Sequence, residues 1–356
     1  MVKLLCWNVN GWSATREKID LKYGSIECFF QSVPGDPRSA LDIVCLQEVK
    51  VAEEKLSKEA CVVPGYESFW SCSVKRKGYS GVGTFSKAKM ALSCEQDCLE
   101  GADTDKNALK GEGRIVVIDI GTCVVVNVYV PNAGLGKSSN SNFGDGKIPD
   151  SKTLKEGPTR LEYKLEFLKA LHARCEKYIE DGREIVLVGD FNVAVDVRDT
   201  HPSIPLEQAF TEKERQSFSR FLQNDTFVDV FRHLHPNERS TFTCFDERTN
   251  ARERNAGVRI DYVLVTKGLL PKVRACEVVN GNSWIPHKWS DHFALLLDID
   301  LDIADRDNGK SCVTWSRLYS RLVDSKQRSI LSMFARKTAK EEDVNGTKKS
   351  AKKPKI

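Results

Sequence analysis

Nowhere in the 356 residues is there a run near the roughly 18 consecutive apolar positions of a membrane helix, which excludes a helical span from the expected classes. Cysteine is present twelve times, but no two stand in C-x-x-C spacing, so zinc ribbons and dithiol redox motifs are not expected. Cys6, Cys45 and Cys123 sit inside apolar runs and read as buried free thiols of a reducing compartment. The N-terminus, Met1-Val-Lys-Leu-Leu-Cys-Trp-Asn8, lacks a small-residue cleavage site and predicts a first strand, not a signal peptide. No internal repeat is visible. Strong charge of one sign is also lacking. The net charge is +4, yet residues 335–356 hold eight Lys or Arg against three acids. That surplus of five leaves residues 1–334 at −1. Such a body meets a polyanion through a local basic face and divalent cations, not through bulk charge.

What is there is a globular composition, 40% hydrophobic and 29% charged. Alternation over residues 2–9, closed by Asn10-Gly11, predicts a strand and a turn. Spaced apolar residues predict a helix over 14–31. Residues 42–48 and 184–189 read as short buried strands, each followed or ended by a carboxylate. Further strands are expected at 66–73, 81–86, 114–120, 123–130, 241–245, 259–266, 273–279 and 293–300. Leu161, Leu165, Phe167, Leu168 and Leu171 predict a helix over 159–180, and Thr211-Glu-Lys-Glu214 is a capping box opening a helix to about 223. Residues 133–158 read as a surface insertion. The pattern predicts an α/β fold in which two mixed β-sheets pack together with helices outside.

Acids and amides fall at the ends of these apolar strands: Asn8, Asn10, Glu48, Asp190, Asn192, Asp261, then Asp291-His292. One acid after a strand is usually a turn former. Five strand ends repeating the theme predict a shared site of oxygen ligands with one histidine and no cysteine. Such a set favours Mg²⁺, with Mn²⁺ as a substitute, over zinc. Metal, carboxylate and histidine together suit phosphodiester hydrolysis. An Asp190 acting as base needs groups that fix its proton, so Asn8 and Asn192 are expected within hydrogen-bond reach.

Cys6-Trp-Asn-Val-Asn-Gly11, Leu46-Gln-Glu-Val-Lys50, Gly78-Tyr-Ser-Gly-Val82, Asn127-Val-Tyr-Val-Pro-Asn132, Gly189-Asp-Phe-Asn192, Arg259-Ile-Asp-Tyr-Val263 and Trp289-Ser-Asp-His292 follow one another in this order. Over about residues 2–300 this resembles the exonuclease III family of apurinic/apyrimidinic (AP) endonucleases, within the DNase I-like phosphoesterases. The resemblance implies a four-layer α/β-sandwich and a metal-dependent DNA-repair hydrolase of AP sites and 3′ ends in double-stranded DNA. It implies that Glu48, Asn10, Asp190, Asn192, Asp291 and His292 surround the metal. Asp190 would position or deprotonate water, with Asn192 steadying it. Asp261 would orient His292, while Tyr129 and Asn132 contact phosphate. Asn8, Arg252, Phe242 and Val258 would face substrate. Phe242 resembles one wall of the family's sugar pocket, and Val258 stands where members specialised for AP sites carry Trp. Lys75-Arg-Lys77, Arg254 and Lys288 are candidate phosphate contacts, and Trp284 and Trp289 either line the DNA side or pack.

The pattern stops near 302, which predicts a catalytic domain over 1–302 and an extension over 303–356. Gln327-Arg-Ser-Ile330-Leu-Ser-Met333-Phe334 resembles the motif that docks repair proteins on the sliding clamp, proliferating cell nuclear antigen. It would set Ile330, Met333 and Phe334 on one face. Lys348 to Lys355 resembles a nuclear localisation signal within a basic, disordered tail. This extension resembles the AP endonuclease 2 subfamily, without the cysteine-containing zinc module often found there. A nuclear monomer is expected. The alternatives are another phosphoesterase of the superfamily, acting on RNA or inositol phosphates, and an inactive clamp-bound adaptor.

Overall fold

The computed structural model describes residues 1–35, 39–100, 108–133, 159–223, 226–279, 281 and 283–303. Clamp-like residues 327–334 and the basic tail lie outside them, as does most of the 133–158 insertion. The strands are β1 Val2–Asn8, β2 Ile43–Gln47, β3 Tyr66–Ser71, β4 Val82–Lys87, β5 Ser93–Gln96, β6 Ile115–Asp119, β7 Val124–Tyr129, β8 Ile185–Asp190, β9 Phe227–Asp229, β10 Cys244–Phe245, β11 Gly257–Val258, β12 Asp261–Thr266, β13 Val273–Val279 and β14 Ala294–Ile299. The helices are α1 Trp12–Tyr23, α2 Ile26–Phe30, α3 Lys58–Cys61, α4 Arg160–Glu180, α5 Leu206–Ala209, α6 Glu212–Leu222 and α7 Val230–Leu234.

Two six-stranded sheets form, in the orders β13-β14-β1-β2-β4-β3 and β5-β6-β7-β8-β12-β9. Each has one parallel pair near its middle, β1 with β2 and β7 with β8, and is otherwise antiparallel. Parallel neighbours need a crossover. Helices α1 and α2 lie in the first crossover and α4 in the second. Strands β2, β7, β8 and β12 are buried at every residue, as expected where both faces of a sheet are covered. One apolar cluster lies between the sheets, joining Leu4, Cys45, Val125, Val188, Val263 and Leu297. A second joins the outer face of the first sheet to α1, α2 and α3. A third joins the second sheet to α4 and α6. The result is the four-layer α/β-sandwich.

Local departures from the sequence reading have local causes. The helix expected over 14–31 is two, because Gly24 adopts φ 81° and caps α1, while the Ser25 hydroxyl accepts the Cys28 N–H to start α2. The strand expected at 241–245 shrinks to Cys244–Phe245, paired with β11 in a separate two-stranded sheet. Strands β5 and β9 and helix α7 carry no strong apolar pattern and were not anticipated. Both long helices after residue 158 open on capping boxes, Thr159 with Glu162 and Thr211 with Glu214. The buried stripe of α4 runs through Tyr163, Lys164, Phe167, Leu168, Leu171 and Cys175, and Leu161 and Leu165 are only half-buried. All eleven cysteines among the described residues are free thiols.

The carboxyl ends of the two parallel pairs point to one pole. Asn8 is in register with Gln47, and Tyr129 with Asp190. Asp261, starting antiparallel β12, is also opposite Asp190. Gly189 sits at φ 146°, where a Cβ would stand 1.9 Å from the Val128 carbonyl oxygen. Only glycine lets β8 come this close to β7 immediately before Asp190.

Candidate active site

The first sheet contributes Asn8, Glu48 and His292; the second contributes Asp190, Asn192 and Asp261. Asn8 is fully buried, and its amide bridges the two halves. Nδ2 donates to Glu48 Oε2 at 3.0 Å and to Asp190 Oδ2 at 2.9 Å. Asp190 Oδ1 accepts the Asn192 N–H at 2.8 Å. Asn8 and Asn192 therefore both reach Asp190, as a carboxylate whose proton must be fixed requires. Burial pushes the Asp190 carboxyl up to about 8, with Asp261 adding to the rise and His292 and the two asparagines opposing it.

His292 Nδ1 lies 2.8 Å from Asp261 Oδ2, across the seam between the sheets. Its Nε2 faces Asp190 Oδ2 at 4.0 Å. Burial disfavours the charged ring, but the Asp261 carboxylate outweighs it and holds His292 protonated well above the usual range. The Ser290 hydroxyl donates to the Asn8 carbonyl at 2.7 Å and accepts the His292 N–H at 3.1 Å, locking the loop onto the end of β1. Cys244 packs on His292, and burial raises its thiol to about 12. Burial thus favours the neutral thiol over the thiolate at this position.

Metal-ligand chemistry divides between two places. Asp190, Asp261 and His292 bring ligand atoms within 4.8 Å of one another, the one such group among the described residues. Asp261 Oδ1 is buried there without a hydrogen-bond partner. The other place is formed by Glu48 and Asn10. The Lys50 ammonium lies 2.5 Å from Glu48 Oε1 and 2.5 Å from Asn10 Oδ1. A cation already rests between these oxygens, and the donors are hard, so the residues fit a divalent ion of the Mg²⁺ class. Asn10, Glu48, Lys50, Ser80 and Asn192 all have positive φ, between 48° and 54°. Side chains rarely adopt that region, and its concentration here marks a held geometry. The holding bonds are Gly11 N–H to Glu48 O at 2.9 Å, Val49 N–H to Gly81 O at 3.0 Å and Lys50 N–H to Ser80 O at 2.8 Å.

The remaining expected residues separate. Asn132 donates to Asn192 Oδ1 at 3.1 Å. Tyr129 is buried, with the Arg114 guanidinium 4.9 Å from its ring centre. Asp291 receives the Ser290 hydroxyl at 3.3 Å and lies beside His292 on the same loop, apart from the group formed by Asp190, Asp261 and His292. Phe242 and Val258 are 2% and 0% exposed and pack into the protein. Val258 is covered because it pairs with Cys244 and bridges Thr200. Arg252 turns inward over Phe293 and Phe245 and donates to the Ser290 carbonyl, which ties it to the His292 loop. Trp284 is buried, and Trp289 stacks on Trp7 at 6.5 Å, so both pack. Arg76, Lys77, Arg254 and Lys288 are exposed; Lys77 pairs with Glu54.

Sequence reasoning missed the supports. Lys164 of α4 is fully buried and donates at 2.7 Å to the Asn192 carbonyl and at 2.7 Å to Glu214 Oε1. Glu214 Oε2 accepts the Thr211 N–H at 2.9 Å, so the cap of α6 and the Asn192 loop share one ion pair. Asn127 lies between the sheets. It accepts from Gln47 Nε2 at 2.8 Å and donates to the Gly83 carbonyl at 3.0 Å, pinning β7 to β2 and β4 one residue before Glu48. Lys50 and Asn127 lay inside the quoted runs; Lys164 was signalled only by its place four residues before Leu168.

A model of the Endonuclease/Exonuclease/phosphatase family matches residues 5–292. DNA-(apurinic or apyrimidinic site) endonuclease 2 of Xenopus laevis is 28% identical over 315 residues, covering 76% of this chain and 54% of that protein. The exodeoxyribonuclease of Bacillus subtilis is 29% identical over 282 residues, covering 78% of this chain and 93% of that one. The chain spans about half the length of the endonuclease 2 relatives it matches, 54% to 58%. Among solved structures, the Xenopus laevis APE2 catalytic domain superposes with a TM-score of 0.63 at 28% identity, covering 84% of this chain and 92% of that one. An AP endonuclease from Archaeoglobus fulgidus does so with a TM-score of 0.60 at 27% identity, covering 85% and 100%. With the sheets, the seam and the strand-end residues in this arrangement, the chain belongs to the Endonuclease/Exonuclease/phosphatase family.

Proposed function

We propose that the chain is a divalent-metal-dependent DNA phosphodiesterase that hydrolyses the backbone at AP sites and at 3′ ends in DNA repair. The observation that carries this reading is the cross-seam set in which Asn8 joins Glu48 to Asp190 while Asp261 holds a protonated His292. Asp190 accepts the proton of the attacking water, with Asn192 and Asn8 holding its two oxygens. His292 donates toward a phosphate oxygen, and Asn132 and Tyr129 face the same phosphate. Glu48 and Asn10 would hold the metal, Mg²⁺ or Mn²⁺, with the Asp190 and Asp261 carboxylates near by and the protonated His292 left free to donate to the phosphate. A bound divalent ion supplies charge neutralisation at the phosphate. The names of the endonuclease 2 and exodeoxyribonuclease relatives support DNA as substrate.

The closed state of Phe242 and Val258 favours 3′ ends over internal sites. An internal AP nucleotide must be turned out into a pocket, whereas a frayed end needs less extrusion. Duplexes carrying an AP-site analogue or a blocked 3′ end are expected to be cut with Mg²⁺ and left intact in EDTA, with 3′ processing at least equal to incision. Cutting in EDTA, or hydrolysis of RNA or inositol phosphates in preference to DNA, would overturn the reading.

The extension supports a finer proposal, in which a monomeric nuclear enzyme docks on the sliding clamp through Gln327, Ile330, Met333 and Phe334. Replacing Ile330 and Phe334 by Ala is expected to abolish capture of the purified clamp. Unchanged capture would make the motif accidental.

A further inference from the structure

We propose that Lys50 is a placeholder: its ammonium occupies the cation seat between Glu48 and Asn10, and a divalent metal enters by displacing it. This rests on the reading that the site takes a divalent ion. The ammonium is 2.5 Å from Glu48 Oε1 and 2.5 Å from Asn10 Oδ1, so the two oxygens are no more than about 5 Å apart. Two oxygens on one divalent cation, each at ~2.0–2.6 Å, span a similar distance. Lysine and metal therefore compete for the same oxygens.

The seat does not depend on its occupant. Asn10, Glu48 and Lys50 all have positive φ; main-chain bonds hold Glu48 and Lys50, and Asn8 Oδ1 accepts the Asn10 N–H at 3.0 Å. The occupant, by contrast, can leave. The Lys50 side chain is 32% exposed and that of Glu48 only 9%, so the ammonium can swing to solvent on its flexible stem while the carboxylate stays. Charge favours the exchange only when a divalent ion is available. Asn10 brings no charge, so Glu48 and Lys50 neutralise each other at this seat, and an entering ion must first separate that pair. The lysine thus lowers metal affinity and in return keeps a nearly buried carboxylate compensated.

The exchange is tested by direct binding of Mn²⁺ to the full chain, with free Mn²⁺ followed by electron paramagnetic resonance. The natural protein, Lys50→Met and Glu48→Gln are compared after thermal melts establish that each is folded. Lys50→Met is expected to bind Mn²⁺ at least fivefold more tightly than the natural protein, and Glu48→Gln at least tenfold more weakly. A purely structural lysine would not produce a gain in affinity on removal. Equal or weaker binding by folded Lys50→Met, with Glu48→Gln still impaired, overturns displacement and leaves the metal site standing. Absence of saturable Mn²⁺ binding in both the natural protein and Lys50→Met overturns the metal reading itself. If Lys50→Met does not fold, Lys50→Gln takes its place with the same expected gain.

Discussion

Asp190→Asn is expected to reduce phosphodiester hydrolysis by about 10²–10⁴-fold, the usual scale for losing a positioned general base. The amide keeps the shape and the contact with the Asn192 N–H but cannot take a proton from water. The same substitution is expected to leave stability equal or higher near pH 8. The sign follows from burial. The folded carboxyl is raised to about 8, while an unfolded aspartate ionises near pH ~3.9. Its ionisation therefore opposes folding progressively as pH rises from about 4 and most fully above 8. A neutral amide removes that opposition. Turnover on a 3′-blocked duplex and thermal melting at pH 5 and pH 8 check both halves. Near-natural turnover, or a melting temperature that falls more at pH 8 than at pH 5, would show that Asp190 is not the base described.

Lys164→Met is expected to lower folding stability by about 3–5 kcal/mol, the range for removing one member of a buried ion pair. Methionine fills a similar volume but leaves the Glu214 carboxylate, 4% exposed, without its counter-charge. Burial already lowers the Lys164 pKa, and Glu214 is what opposes that fall. Replacing Glu214 by Gln as well is expected to restore part of the loss, because the stranded charge is then gone. Urea unfolding of the two variants separates these cases. A loss below about 1 kcal/mol for Lys164→Met would mean that water reaches the pair and that it does not brace the Asn192 loop.

The chemistry was legible because it is carried by short runs at strand ends. Glu48, Asp190, Asp261 and His292 each follow or start an apolar segment, and the alternation of strands and helices was enough for two packed sheets. The partners were not legible. Nothing in the chain says that Asn8 touches both Glu48 and Asp190, since those contacts span 40 and 182 positions. The α4 stripe was read from its leucines, which gave Lys164 no part; the structure turns the stripe toward it, and Glu214, itself part of a cap, makes the burial tolerable. Val258 was noted only as the residue standing where AP-specialised members carry Trp, and nothing in the run said that it pairs with Cys244. Gly24 shows a similar limit, since a single left-handed residue divides what periodicity reads as one helix.

Hydrogen bonds cross between the sheets at the site pole, among them Asn8 to Asp190, His292 to Asp261 and Gln47 to Asn127. One sheet is built from both ends of the described chain, with β14 laid beside β1, while the strands of the other all lie between them in sequence. The polar set is therefore complete only once His292 has been made. A chain interrupted between residues 261 and 292 has the Asp190 half and the Glu48 half but not His292, and its first strand has no β14 beside it. A newly made or truncated copy thus carries an unfinished centre until the segment that reaches back to its beginning has emerged.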